Sequence, residues 1–540
     1  MNNAAKGLVF VKKWGPLVIL AAASFLMTLD QAVMNVSISN LVADLHTTVT
    51  AIQGVITLYS LVMAMFMVIG GKIGDLVGRR RAFIIGLVIY GLGSATTALA
   101  PNVVVLGVGW SGLEGLGAAL VLPALAALIA GNYEGRDRIT AYSVIGGVAG
   151  VAIAVGPIVG GWATTELSWR VVFVGEVIVV AAILACANLL RDAPSDAAPP
   201  KLDVVGGVLV GLGLGAVVFG ILQVGTWGWL EPKNSPLTPF GFSLAPFVIA
   251  FGGLLLWGFV GWQRHRTSNG HDPLIHLALF SVATLRAGLE TAVGQMLILM
   301  GVFFTIPLYL QLVLGLDALE TGVRMLPVSV AMFAASLIGA KLTSLWSVRT
   351  IVQVGMGIVV TATLLLVSTI QPTLNGAMFA TAMGCLGIGM GLVASQLGNV
   401  VQSSVDASGR GEAGGLQYTA QQLGSALGVA LIGVIVLSGL VANFTRDVAQ
   451  DPRISSEVAQ QVGVAVGNNA TFVPAAAVEA AAVQANLDAE TVAALVESYS
   501  EAQLHSLKVG LLGAAAIGLG SMVFTAKLPK RKSAVQVVNS

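Results

Sequence analysis

An all-α membrane protein of about fourteen spanning helices is the fold class this sequence predicts. Three observations carry it. Hydrophobic residues make up 56% of the 540-residue chain and charged residues only 10%, against about 25% charged in a soluble domain. So few charges cannot cover a soluble body of this size, and lipid must be the solvent for much of its surface. The 66 glycines would weaken soluble helices, but in membrane helices small residues let backbones approach closely. Finally, apolar runs of spanning length recur along the chain, and no alternating barrel-strand pattern accompanies them.

A spanning helix needs about 20 apolar residues. The runs that qualify are 15–38, 50–70, 82–100, 103–130, 139–163, 169–190, 204–224, 242–262, 287–313, 320–343, 350–370, 375–401, 414–440 and 506–526. Lys6, Lys12 and Lys13 precede the first run in the manner of a secretory leader. The run continues through Asp30 and many similar ones follow, so it reads as an uncleaved first membrane helix.

Basic residues set the expected orientation. With the N-terminus inside, the inner segments hold Arg79, Arg80, Arg81, Arg136, Arg138, Arg191, Lys201, Arg264, Arg266, Arg349, Arg410, Lys527, Lys530, Arg531 and Lys532. The outer connections hold only Arg170, Lys233, Arg446 and Arg453. An even number of helices then puts both termini in the cytoplasm, with the chain in the inner (cytoplasmic) membrane. Glu166 and Arg170 are expected to pair at the outer edge, and Arg324 to snorkel outward from the first turn of its helix.

One connection is long. Residues 441–505 are Ala- and Val-rich and carry eight acidic residues, from Asp447 to Glu501, against two arginines. Helix-like runs at 452–466 and 474–504 flank the breaker Gly467, Asn468 and Asn469, which predicts an external helical hairpin over the pore mouth. Asn469 to Thr471 also matches a glycosylation sequon.

A faint internal repeat divides the chain. GGKIGDLVGRR at 70–80 follows the second helix and GAKLTSLWSVR at 339–349 follows the tenth, with Asp75 replaced by Ser344. Two six-helix halves related this way are used by alternating-access transporters. The expected domains are a six-helix bundle at 1–202, two inserted helices with a cytoplasmic linker at 203–283, and a second six-helix bundle at 284–540 that carries the 441–505 hairpin.

The stretch Gly71, Asp75, Gly78, Arg79 and Arg80 resembles the cytoplasmic loop motif of the major facilitator superfamily. Gly71, Gly74 and Gly78 permit a tight turn, and Asp75 can pair with a neighbouring Arg and face a helix terminus, forming a latch for the inner gate. Other segments resemble the superfamily's fourteen-helix drug:proton antiporter family. They are MTLDQAVMNV at 27–36, Gly156-Pro157 with Gly160 and Gly161, Ser168-Trp169-Arg170 with Phe173, Leu202-Asp203 with Trp227 and Trp229, Pro273 to His276, Pro307 to Gly315, Gly322 with Pro327, and Gln422 to Gly428. Together they span nearly the whole chain.

There are departures. The family's helix-4 motif has Arg and Gln where this chain has Ser111 and Glu114. Helix 6 has Glu176 where Asn is usual, helix 13 has Gln421 where Arg is common, and Ser39 replaces the proline that usually closes the first-helix motif. Fixed positive charges are lost and carboxylates gained inside the membrane, which points toward a cationic or polar cargo.

Ionisable groups in a membrane are costly and are functional candidates by default. Asp30 and Glu114 sit about mid-depth in helices that the resemblance places around the central cavity. A carboxyl group in a low-dielectric cavity can hold a proton near neutral pH. An arriving cation favours the ionised form and expels the proton, which is the simplest antiport mechanism. Glu176 and Glu290 complete the proton-coupling or substrate-binding candidates, although Glu290 is also placed for an i, i+4 ion pair with Arg286. Gly156, Pro157, Gly160 and Gly161 form the antiporter hinge that the resemblance implies, with Pro157 removing a backbone donor. Trp110, Tyr309 and Tyr418 are candidate cavity aromatics for a flat cation, beside the plainer reading as core residues.

No Walker-type loop appears, so direct ATP drive is not expected. No catalytic set converges, so the chain is not read as an enzyme and no cofactor is expected. His265, His271 and His276 lie near Asp272 at spacings that fit no standard metal pattern, and no metal is expected. Cys186 and Cys385 read as packing residues. The net charge of +1 suggests no nucleic-acid partner. The expectation is a monomeric, proton-coupled exporter of small lipophilic, cationic compounds by alternating access. The alternative on the same fold is an exporter or flippase of a lipid or cell-envelope precursor.

Overall fold

The computed structural model describes residues 3–133, 135–192, 203–343, 345–405, 410–469 and 472–530, and every regular element among them is helical. The chain opens with α1 (Asn3–Val36), which breaks at Ser37 and resumes as the short α2 (Ile38–Asp44). Thr48 caps α3 (Val49–Val77) through its hydroxyl. Gly78, at φ +96°, ends that helix and starts α4 (Arg79–Ala98). The conformation is one that glycine adopts without penalty. Asn102 caps α5 (Val103–Leu106), which passes through a wider π-type turn at Gly107–Glu114 into α6 (Gly115–Asn132). Then come α7 (Gly135–Trp162), α8 (Trp169–Cys186), α9 (Val204–Trp227) and α10 (Ala245–Ser268). The second part runs α11 (Ala283–Leu308), α12 (Ala318–Leu342), α13 (Val348–Thr369), α14 (Gly376–Ser403) and α15 (Arg410–Gln450). It closes with α16 (Ser456–Asn469), α17 (Ala475–Gln484) and α18 (Ala489–Thr525).

Thirteen spans among the described residues are long and apolar enough to cross a membrane. The predicted segment at 139–163 corresponds to α7, 28 residues long and packed lengthwise between α1 and α12. Glycine makes the tight packing possible. A methyl group at Gly86 would meet Val121 and the Gly117 carbonyl at 2.8–2.9 Å, and one at Gly117 would meet the Gly86 carbonyl at 2.7 Å, so α4 and α6 touch backbone to backbone. Such contact is how helices associate where lipid offers no hydrophobic drive.

Helices α9 and α10 pack on each other, and α9 leans on α3 and α15 through Leu61, Val218 and Ala426. Asp203 caps α9 through the Gly206 amide, and it accepts from Trp262 Nε1 and Gln263 Nε2, each at 2.8 Å. Gln263 Oε1 in turn accepts from the Leu274 amide, which fixes the segment that follows α10.

One end of the bundle carries α16 and α17, and the other carries the start of α1 and the end of α18. At the α16–α17 end, α1–α8 and α11–α18 are joined. Gln311 Nε2 donates to the Val36 carbonyl at 2.8 Å, and Ser39 Oγ donates to Gln311 Oε1. The Leu319 amide donates to Thr165, and Gln53 Nε2 donates to the Val429 carbonyl. Ser60 and Ser425 bond nearer mid-depth. These bonds shut the bundle at the α16–α17 end.

Two expectations need correction. The outer segment is not one hairpin of runs 452–466 and 474–504. α15 continues to Gln450, and α18 begins at Ala489 instead of near 506. Only α16 and α17 stand alone, packed against α15 and α18 respectively. Counting apolar residues finds where a helix lies in lipid, whereas the helix itself goes on into water once Asp488 caps it through the Thr491 amide. The breaker at 467–469 ends α16, and residues 470 and 471 of the sequon lie outside the described residues. The second correction concerns Arg170. It turns to Asp44 and to the Ala100 carbonyl, not to Glu166, because Asp44, the last residue of α2, lies over the start of α8.

Candidate functional site: a buried carboxylate cluster

Asp30, Glu114 and Glu176 meet inside the first group of helices. One carboxylate oxygen from each lies within 4.8 Å of the other two. Relative exposure is 0% for Asp30 and Glu114 and 2% for Glu176. They arrive from three elements: Asp30 from α1, Glu114 from the π-type turn before α6, and Glu176 from α8. Sequence reasoning named all three, but as separate candidates. What it could not supply is that α8 faces inward at Glu176, because the register between α4 and α8 is a property of packing.

Among the described residues the surroundings are polar, and none of the ion pairs reaches the cluster. Trp110 Nε1 donates to both oxygens of Asp30 at 2.9 Å. Its ring stacks on Tyr59 at 4.5 Å and 8°. Ser94 Oγ donates to Glu176 Oε2 at 2.9 Å, with Tyr90 OH at 3.4 Å, and Thr97 Oγ1 donates to Glu114 Oε1 at 3.3 Å. The remaining oxygens, Glu114 Oε2 and Glu176 Oε1, have no hydrogen-bond partner among the described residues. No lysine, arginine or histidine there pairs with any of the three. Ser111, which stands where the family has Arg, donates instead to the Val55 carbonyl at 2.7 Å.

Trp110 and Glu114 are four residues apart, so they share a face of one helix, here within the π-type turn. Such turns insert an extra residue per turn and are frequent at functional sites. Gly93 and Gly109 let α4 lie against this turn: a methyl at Gly93 would meet Glu114 Cγ at 2.6 Å, and one at Gly109 would meet Thr97 Oγ1 at 2.6 Å.

The other candidates lie elsewhere. Glu290 sits at 3.8 Å from Arg286 as an i, i+4 pair, part-exposed and apart from the cluster. Trp110 lies in the cluster wall. Tyr309 is fully buried, and its hydroxyl donates to the Thr369 and Gln371 carbonyls at 3.1 and 2.7 Å, tying the end of α11 to α13. Tyr418 is half-buried on α15.

The loop motif is anchored through Arg80. Its amide donates to Asp192 Oδ1 at 2.7 Å, Nε to the Ala187 carbonyl at 3.1 Å and Nη2 to Asn188 Oδ1 at 2.8 Å. A methyl at Gly78 would meet Asp192 at 3.1 Å, and Gly71 faces Pro123 of α6. Arg79 is engaged as well. The side chain of Asp75, the whole of Ser344 and Lys201 lie outside the described residues.

The α7 glycines work on two faces. Gly156 and Gly160 lie against Ala32 and Val33 of α1. Gly161 lies against Ala318 and Leu319, and the Pro157 carbonyl against Gly322 of α12. Of the three histidines named above, His276 bonds Glu412 at 2.8 Å and His265 faces Asn269, so they do not converge.

The sequence profile of the Major Facilitator Superfamily matches residues 20–429. The chain is 30% identical to the tetracenomycin C resistance and export protein of Streptomyces glaucescens, over 79% of this chain and 76% of that protein. It is 31% identical to the puromycin resistance protein pur8 of Streptomyces alboniger, over 82% and 85%. It is 26% identical to the multidrug efflux pump LfrA of Mycolicibacterium smegmatis, over 90% of each. Among solved structures it resembles a bacterial homologue of the human lysosomal transporter Spinster, inward-facing and unoccupied, at TM-score 0.58 and 15% identity, over 96% of this chain and 98% of that one. An auto-inhibited POT-family peptide transporter also matches at TM-score 0.58 and 15% identity, over 96% and 97%. At these identities the structural likeness concerns the fold.

Proposed function

The chain belongs to the Major Facilitator Superfamily, and from that premise we propose that it exports lipophilic, cationic drug-like compounds in exchange for protons, by alternating access. The relatives are named for antibiotic resistance, export and multidrug efflux, which supports the cargo class. The observation that carries the coupling is the cluster of Asp30, Glu114 and Glu176, with oxygens within 4.8 Å and no basic side chain paired with them among the described residues. Two unit charges at that separation repel by about 3–4 kcal/mol at an effective dielectric of 20. Three such pairs cannot all stay charged in a dry interior, so the cluster holds protons and gives them up when its surroundings change. A cation arriving nearby favours their release, and return of the protons releases the cargo on the other side.

The halves that rock in this scheme are 1–202 and 284–540, with 203–283 as an inserted pair that braces them along α3 and α15. The hydrogen bonds of Gln311, Gln53 and Thr165 hold the α16–α17 end shut, which on the positive-inside pattern is the outer face. In this reading the chain lies in the cell's inner membrane with both termini in the cytoplasm, and the cycle alternates by breaking these bonds when the outer face opens. One copy of the chain contains both halves and the cluster, so a monomer suffices.

Ethidium transport driven by an imposed proton gradient in inverted vesicles tests this. Wild type should move ethidium and alkalinise the lumen as it does so, and Asp30→Asn and Glu114→Gln should uncouple the two. Full coupling in both variants would remove the mechanism. Lipid flux without any dye movement would replace the cargo with a lipid precursor.

A further inference from the structure

A second site lies apart from the cluster, at the end that holds the start of α1. A cavity of about 350 Å³ is lined there by Lys13, Asn132, Tyr133, Asp137, Leu189 and Arg191, among others. That volume is at the small end of ligand sites and suits a headgroup rather than a drug. Its frame is fixed by hydrogen bonds. The Leu17 amide donates to Tyr133 OH at 2.9 Å, and that hydroxyl donates to the Lys13 carbonyl at 3.0 Å. Asn132 and Arg191 exchange bonds, with Nδ2 to the Arg191 carbonyl at 2.9 Å and the Arg191 amide to Oδ1 at 3.2 Å.

The charges do not balance. Lys13 is paired with Asp137 at 2.9 Å. Arg191 has no side-chain hydrogen bond or ion pair among the described residues, which leaves one guanidinium over. Its planar fork of donors matches a phosphate. Trp14 stacks on Tyr133 at 5.6 Å beside the cavity, and aromatic residues of this kind mark the headgroup level of a bilayer. Leu189 adds an apolar side. Basic pockets between membrane helices on the inner side take anionic headgroups.

We propose that this cavity binds a phosphate-bearing anion, with Arg191 as its principal contact and Lys13 as the second. The site has a consequence for gating. Arg191 follows Asn188 and precedes Asp192, the two side chains that hold Arg80. A bound phosphate therefore braces the segment to which the α3–α4 loop is tied. The inference does not depend on the carboxylate cluster or on the cargo.

The test uses the full-length protein in detergent. Thermal unfolding is followed against added phosphatidylglycerol, phosphatidylcholine or inorganic phosphate, in wild type, Arg191→Gln and Arg264→Gln. Arg264 is an exposed arginine at the same end, outside the cavity. Stabilisation by phosphatidylglycerol in wild type and Arg264→Gln, with half-saturation weakened about fivefold or more in Arg191→Gln, is the expected result for one basic contact. Response to phosphatidylglycerol alone identifies a lipid headgroup as the source, and an equal response to inorganic phosphate identifies a soluble one. Equal response to phosphatidylcholine, no response at all, or an unchanged response in a folded Arg191→Gln protein overturns the proposal.

Discussion

Trp110 gives its single indole proton to both carboxylate oxygens of Asp30, each at 2.9 Å, while its ring lies flat on Tyr59. A donor from the fourth predicted segment therefore fixes the acid of the first. A hydrogen bond to a charged group contributes about 1.5–3 kcal/mol, so the bond matters most when Asp30 is ionised. Trp110→Phe keeps the stacking and removes the donor. Proton-driven ethidium transport should fall about tenfold or more, and the pH of half-maximal rate should move relative to wild type. A variant that expresses normally and keeps the wild-type pH profile would show that Trp110 only fills space.

Gly161 offers a second measurement. A side chain there would run into the Ala318 carbonyl and Leu319, and one at Gly322 into the Pro157 carbonyl. The seam between α7 and α12 can close only with hydrogen atoms at both places. Gly161→Ala should cost about 1–3 kcal/mol of stability in the closed seam, the usual penalty of overpacking. The population should shift toward the state open at the α16–α17 end. Cysteines placed at 165 and 319, at the Thr165–Leu319 contact, should cross-link readily in the parent protein and poorly in the Gly161→Ala protein. Equal cross-linking would mean that the seam tolerates the methyl.

Much of this was legible in the sequence because lipid imposes a simple rule. Apolar runs of spanning length located helices such as α4 and α13 to within a few residues. The water-exposed ends of α15 and α18 were not legible that way, since their lengths depend on caps and on packing with α16 and α17. The acids were legible as anomalies: a carboxylate at position 30, 114 or 176 has no reason to be in lipid unless it is used. Their meeting was not, because it depends on how α1, α4 and α8 pack and on the face that α8 presents. The sequence marks Trp110 as a candidate cavity aromatic, and no spacing rule joins an indole to an acid eighty residues earlier. The swap of Arg for Ser111 was visible, and its consequence is physical: among the described residues no cation pairs with the cluster.

Asp44 gives a pH-dependent stability. The hydrogen bond from Arg170 holds its carboxyl below the ordinary value of 3.8, with Trp169 adding to it and partial burial working against it. Because the folded value is depressed, the contribution is complete at neutral pH and is lost as pH falls through the region below 3.8. The pair is largely exposed, with side-chain exposures of 32% and 46%, so it is worth about 1 kcal/mol at most. Asp44→Asn should lower the melting temperature slightly at pH 7, and the gap to wild type should narrow progressively as pH falls below 3.8. A gap that persists in acid would assign the effect to shape instead of charge.

The inserted pair has its own point of failure at Asp203. One carboxylate there accepts from the Gly206 amide, Trp262 Nε1 and Gln263 Nε2, with Arg266 at 3.7 Å. Removing it strips the cap of α9 and leaves Gln263, which is 0% exposed, without an acceptor. Loss of a cap costs about 0.5–2 kcal/mol, and each buried donor left unpaired about 1–3 kcal/mol more. Asp203→Ala should therefore reduce thermal stability far more than a typical surface change, with transport by the surviving folded protein largely retained. Loss of coupling at unchanged stability would instead draw the inserted pair into the transport mechanism.

Glu176 and Glu290 separate the two ways an acid can sit in this membrane. Glu176 is buried beside two other carboxylates and bonded only by hydroxyls. Glu290 is part-exposed and answered by Arg286 on the preceding turn of its own helix. An exposed i, i+4 pair contributes about 0.3–0.5 kcal/mol, too little to affect a transport cycle. Glu290→Gln should change proton-coupled ethidium transport less than about twofold. Glu176→Gln removes one negative charge from a set that repels itself, and it keeps an oxygen for Ser94. It should therefore fold at least as stably as wild type while releasing fewer protons per ethidium bound, counted with a pH dye in weakly buffered detergent solution. If Glu176→Gln releases as many protons as wild type, Asp30 and Glu114 alone couple the cycle, and the third acid is a structural neighbour.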